Sequence, residues 1–112
     1  MNLPQLQKDV HEVAMKFKFN WSNYVQYVHL VEEVAELGEA LTVHLGDRKS
    51  GSGESALADH ADLQEEFGDV LFTVCELANQ LDIDLVAAMN YTFKRYQGKL
   101  EKLAALQNDH QG

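Results

Sequence analysis

A chain of 112 residues, 46% hydrophobic and 24% charged, has the size and composition of one soluble domain, and no apolar run approaches the ~20 residues a membrane span requires. The formal net charge is −9, and between Phe19 and Phe93 only Arg48 and Lys49 are basic against 14 acidic residues; such a centre repels a nucleic-acid backbone and attracts cations. The lone Cys75 excludes an intramolecular disulfide and a cysteine-based zinc site, and with an N-terminus that lacks a signal-peptide pattern it points to the cytoplasm.

Pro4 suits the first turn of a helix, and Leu6, Val10, Val13 and Phe17 continue it at helical spacing over about residues 4–18. "FKFNWSN" breaks the pattern. Ser22 or Asn23 can cap a second helix that runs to about Leu45, with Leu30, Val34, Leu37, Leu41 and Leu45 as its apolar stripe. "GDRKSGSGES" is a Gly/Ser loop, either a plain connector or a lid carrying Arg48 and Lys49. A third helix is expected from about Ala56 to Gln80, with Leu63, Phe67, Val70, Leu71, Val74, Leu77 and Leu81 as its stripe. Asp84 can cap the fourth, in which Val86, Met89, Phe93, Tyr96, Leu100 and Leu103 alternate three and four apart like a coiled-coil seam. The pattern predicts an all-α fold, a bundle of about four helices forming a single domain over 1–112. That seam, with Tyr91 and Phe19, implies a second helical surface and a homo-oligomer, a homodimer or a dimer of dimers.

"LVEEVAELGEAL" places Glu32, Glu33, Glu36 and Glu39 together without a nearby Lys or Arg. At roughly 100° per residue, Glu32, Glu36 and Glu39 fall opposite the Leu30–Leu41 stripe and Glu33 nearer its edge, so a solvated face accounts for most of the group. Solvated faces normally mix signs, however, and Glu32 with Glu36 is a repulsive i,i+4 pair. "DLQEEFGDV" repeats the theme. Glu66 and Asp69 share a face, Glu66 borders the apolar stripe near Leu77, and Glu65 points away. A carboxylate at such a border needs a proton, a partner or a cation. If the second and third helices pack antiparallel, Glu33, Glu36, Glu66 and Asp69 converge into an all-oxygen site suited to Mg²⁺, with Mn²⁺ as a substitute. None of the five histidines stands at ligand spacing among these acids, which argues against zinc.

Glu32-Glu33-x-x-Glu36 followed by Glu66-x-x-Asp69, with "GDVL" and "FKRY" in register, resembles the EExxE…ExxD signature of the MazG-like all-α nucleoside triphosphate pyrophosphohydrolases. The resemblance spans about Trp21 to Tyr96. It implies hydrolysis of (deoxy)nucleoside triphosphates, deoxy or non-canonical, to monophosphate and pyrophosphate as nucleotide-pool house-cleaning. It assigns Glu33, Glu36, Glu66 and Asp69 to Mg²⁺, and Glu32 to the attacking water or to a further metal. Lys94 and Arg95 become phosphate contacts, or solvated charges flanking the Phe93–Tyr96 seam. Where many relatives carry a Lys and an Asn earlier in this helix, Asn90 is the stand-in. Trp21 becomes the aromatic wall against the base. The reading from another class is a non-catalytic helical adaptor or regulator that retains the fold.

Overall fold

The computed structural model describes residues 1–18, 20–46 and 62–111. Among them the chain forms four helices and no strand: α1 Leu3–Phe17, α2 Asn23–His44, α3 Leu63–Gln80 and α4 Leu85–Gln111. None of the helices is long and apolar enough to cross a membrane.

Short polar side chains set each helix start by accepting a hydrogen bond from an otherwise orphaned amide. Asn2 Oδ1 accepts from Gln5 N at 2.9 Å ahead of α1, with Pro4 in its first turn. Ser22 Oγ accepts from Val25 N at 3.2 Å ahead of α2, and Asp84 Oδ1 from Val86 N at 3.0 Å ahead of α4. The third helix corrects the sequence expectation: it begins at Leu63, because Asp62 lies in extended backbone and Oδ1 caps Glu65 N at 3.2 Å. The expected start at Ala56, the Gly/Ser loop beyond Gly46, and Phe19 lie outside the described residues. The stops are also local: α1 ends on Lys18 in the left-handed region (φ 57°), and α2 is followed by Gly46 at φ 82°.

Helices α2 and α3 make the most extensive pairing, α1 lies across α3, and α4 touches α1. The pair runs antiparallel. Gln80 Nε2 near the end of α3 donates to the Trp21 carbonyl just before α2, while Glu66 near the start of α3 meets Glu33 in mid-α2. The corner from α3 into α4 is pinned by one residue of α1. Gln7 Nε2 donates to the Ile83 carbonyl at 2.9 Å and to Asn79 Oδ1 at 3.1 Å, and Gln7 Oε1 accepts from Leu85 N at 3.0 Å. Asn79 Nδ2 returns a bond to the Gln7 carbonyl at 2.8 Å.

Among the described residues the buried positions are few: Val10, Ala40, Cys75 and Ala78, joined by the polar Gln26, Glu66 and Thr73. The α2 stripe expected to be its packing face is only partly so. Leu30 and Leu37 are half-buried, but Val34, Leu41 and Leu45 are exposed. The reason is that α2 is apolar on more than one face. It turns Gln26, Leu30, Glu33, Leu37 and Ala40 toward α3 and leaves Val31, Val34 and Leu41 outside. The radius of gyration, 19.1 Å, exceeds the ~13 Å of a compact chain of this length.

Candidate active site

Positions 26, 29/30, 33, 36/37 and 40 recur every three or four residues and form the inward face of α2. On α3 the matching face carries Glu66, Asp69/Val70, Thr73 and Leu77. Antiparallel packing therefore sets Glu33 and Glu36 across from Glu66 and Asp69. Carboxylate oxygens of Glu33, Glu66 and Asp69 all lie within 4.8 Å of one another. Glu66 is buried at 2% exposure, as its position beside the apolar stripe predicted, and Glu65 is exposed. Glu36, placed by helical projection on the solvated side of α2, is instead half-buried, because the helix packs through a face rotated from the Leu30–Leu41 stripe.

This arrangement is electrostatically costly without a cation. Glu33 is raised from 4.5 to about 7, first by desolvation, then by its hydrogen bond and charge contact with Glu36, and further by the charges of Asp69 and Glu66. One oxygen each of Glu33 and Glu66 is shut off from solvent. A set of hard carboxylate oxygens clustered in a partly dry seam fits a small divalent cation. Glu65 and Glu66 also stand in the first turn of α3, where the helix dipole favours negative charge, so part of the acid density has a local stabiliser.

His29 was not singled out by the sequence, yet its Nε2 lies 3.3 Å from Glu33 Oε1, one turn earlier on the same face. The contact becomes an ion pair when the imidazole is protonated. The i,i+4 spacing of His29 and Glu33 is the signal that could have revealed it. Trp21 meets His29 edge-to-face with centroids 5.0 Å apart. Glu32 is exposed and shares a cavity of about 370 Å³ with Trp21, Tyr24, Val25, Val28 and His29. Trp21 thus stands beside the acidic seam, at the mouth of α2.

The α4 residues Asn90, Lys94 and Arg95 are all exposed, on a helix that rests on α1. Arg95 lies over the rings of Tyr91 (5.7 Å) and Tyr96 (5.8 Å), and Lys99 over Tyr96 (5.3 Å). These cations line their own helix, away from the α2–α3 seam. Cys75 is free and buried, and burial pushes its thiol up, which makes it a poor nucleophile.

The sequence profile of the MazG nucleotide pyrophosphohydrolase domain matches residues 22–103. The chain belongs to the MazG nucleotide pyrophosphohydrolase family. That match spans both acidic segments of the MazG chain. It is 30% identical over 95 residues to the protein YpjD of Bacillus subtilis (strain 168), covering 84% of this chain and 82% of YpjD. The crystal structure of YpjD matches this MazG chain with a TM-score of 0.71 at 27% identity, covering 86% of this chain and 93% of that one. The crystal structure of the Bacillus-conserved MazG protein, a nucleotide pyrophosphohydrolase, matches with a TM-score of 0.62 at 27% identity, over 86% of this chain and 90% of that one.

Proposed function

We propose that this MazG chain is a cytoplasmic, Mg²⁺-dependent enzyme that hydrolyses deoxy or non-canonical nucleoside triphosphates to monophosphate and pyrophosphate. The observation that carries the proposal is the convergence of Glu33, Glu66 and Asp69 within 4.8 Å, across two helices. A triphosphate bears about four negative charges and is repelled by such a site unless divalent ions intervene. Mg²⁺ bound by Glu33, Glu36, Glu66 and Asp69 would supply charge neutralisation and Lewis acidity at the phosphates, with Mn²⁺ as a substitute.

The chain's own residues do the rest. Glu32, exposed beside the seam, orients water and takes its proton as the water oxygen bonds to the α-phosphorus and the bond from that phosphorus to the α–β bridging oxygen breaks, the bridging oxygen leaving with pyrophosphate. Trp21 offers a flat wall at the open end of α2. His29 holds Glu33 in place through its 3.3 Å contact.

The functional form is a homodimer or a dimer of dimers. Along α4, Met89, Phe93, Tyr96, Leu100, Leu103 and Leu106 are each at least 41% exposed, far more contiguous apolar surface than a monomer normally leaves in water. Assembly through this helix is also the route by which Asn90, Lys94 and Arg95 of one copy would reach phosphates held in the seam of another. A free, buried thiol supports a cytoplasmic setting.

The test is product analysis on a panel of nucleoside triphosphates with Mg²⁺. Monophosphate and pyrophosphate in equal amounts are expected; absence of pyrophosphate across the panel rejects the proposal. Mg²⁺ alone should raise the melting temperature, by ~2.7 kcal/mol of stabilisation at a hundred times its dissociation constant, and Asp69→Asn should remove that rise.

A further inference from the structure

Gln26 lies on the inward face of α2, seven residues before Glu33, which is two helical turns and about 10 Å along the axis. It is 1% exposed, and among the described residues neither its carboxamide oxygen nor its nitrogen has a hydrogen-bond partner. Buried amides are nearly always satisfied, because water once made those bonds. This one borders a cavity of about 240 Å³ between the end of α1, the mouth of α2 and the second half of α3, with Trp21 as one wall. Two of the cavity's other amides are engaged elsewhere, while Asn20 stands at its exposed rim. Both ends of Asn79 are bonded to Gln7, and Gln80 Nε2 donates to the Trp21 carbonyl at 2.6 Å.

Because α2 and α3 run antiparallel, the seam has a carboxylate cluster at one end and this amide-lined cavity at the other. Trp21 and His29 connect the two: one borders the cavity, the other touches Glu33. The separation of about two helical turns matches the reach from a nucleobase edge to its α-phosphate.

We propose that Gln26 is the specificity-determining residue of the enzyme, reading the nucleobase, and that the cavity selects bases that carry an exocyclic amino group. The proposal rests on the triphosphate-hydrolase reading of the same seam. Gln26 presents one acceptor and one donor side by side, which pairs with an amino group next to a ring nitrogen. Glu76 adds carboxylate oxygens to the cavity, and these accept without donating. Between Gln26 and Glu76, behind the exposed His11 and Asn20 of the rim, acceptors therefore outnumber donors. Cytosine, adenine and guanine offer an amino group with two N–H bonds, whereas uracil and thymine offer a single N–H between two carbonyls. The carbonyls of uracil and thymine would face the oxygens of Glu76.

The experiment compares kcat/KM for dCTP, dATP and dGTP against dUTP and dTTP, in the unmutated enzyme and in Gln26→Met, which preserves length and removes both polar atoms. The unmutated enzyme should favour at least one amino-bearing base by about tenfold or more over both dUTP and dTTP, the scale expected when a buried polar group is left unpaired by the wrong substrate. Gln26→Met should collapse that ratio toward one. It should also leave the thermal shift by Mg²⁺ alone unchanged, and raise the melting temperature of the nucleotide-free protein, because an unsatisfied buried amide has gone. An amide whose role is structural would lower that temperature on replacement and depress all substrates alike. Gln26→Leu is the second variant should the first fold poorly. Equal turnover of all five triphosphates, or an unchanged ratio in the folded variant, overturns the proposal and leaves the parent reading standing. No pyrophosphate from any of them overturns both.

Discussion

Between α2 and α3 the chain turns Gln26, Glu33 and Glu66 inward, whereas along α4 it turns Phe93, Leu100 and Leu103 outward. The first region buries polar groups that hydrophobic packing would have served more cheaply, and the second exposes apolar groups that water disfavours. Each is a defect in an isolated chain, and on the proposed function each is resolved by a different binding event: the seam would be completed by cation and substrate, the α4 stripe by a second copy. The lesson is that the dependence runs one way: a substitution in the seam should leave assembly untouched, whereas one in the stripe, which would bring Lys94 and Arg95 to a neighbouring seam, should lower activity as well.

The largest expected effect breaks the seam. Asp69→Asn or Glu66→Gln should lower kcat/KM by ~100-fold or more, since each removes a carboxylate from the cation site, while sedimentation velocity shows the oligomer intact. The converse substitution pair, Phe93→Asp with Leu100→Asp, places charges in the stripe. It should dissociate the oligomer in sedimentation velocity, while the far-ultraviolet circular dichroism stays helical. If the seam mutants also dissociate, the separation between the two regions is wrong.

A smaller effect sharpens the picture of the seam. In the metal-free folded chain Glu33 holds its proton up to about 7, against 4.5 as its ordinary value. The folded state therefore binds more protons than the unfolded state between those values. Its stability is full below 4.5 and declines as the pH rises through about 7. Thermal melts of metal-free protein from about pH 4 to about pH 8 should show this decline, and Glu33→Gln should flatten it. The smallest effect is local: Asp62→Ala removes the α3 cap and should cost about 1 kcal/mol, read as a modest fall in denaturant midpoint, with the oligomer preserved.

Much of this comparison was legible in the residues alone. Ser22 and Asp84 announced their helices because a short oxygen side chain at a helix start has one obvious employment. Glu66 could be placed at the dry border because α3 has one clear apolar face to measure it against. Helix α2 was harder. Val31, Val34 and Leu41 compete with Leu30 and Leu37 for the packing face, and periodicity cannot choose between two apolar faces of one helix. For that reason Glu36 was projected outward, and Gln26 and His29, whose significance depends on what lies across the seam, gave no sign. The start of α3 was misplaced for a simpler reason: Ala56, Leu57 and Ala58 prolong a helical composition past the residue, Asp62, that actually stops it.

The polar clamp of Gln7 on the α3–α4 corner has a mechanical meaning. Helix α4 has 27 residues and so extends ~40 Å from its root, and a tilt of about 10° there swings the far tip by roughly 7 Å. One glutamine on α1, hydrogen-bonded to Asn79, Ile83 and Leu85, therefore sits at the fulcrum of the longest arm in the molecule. Small adjustments at that pivot are geared up into large changes in where the arm's end can dock.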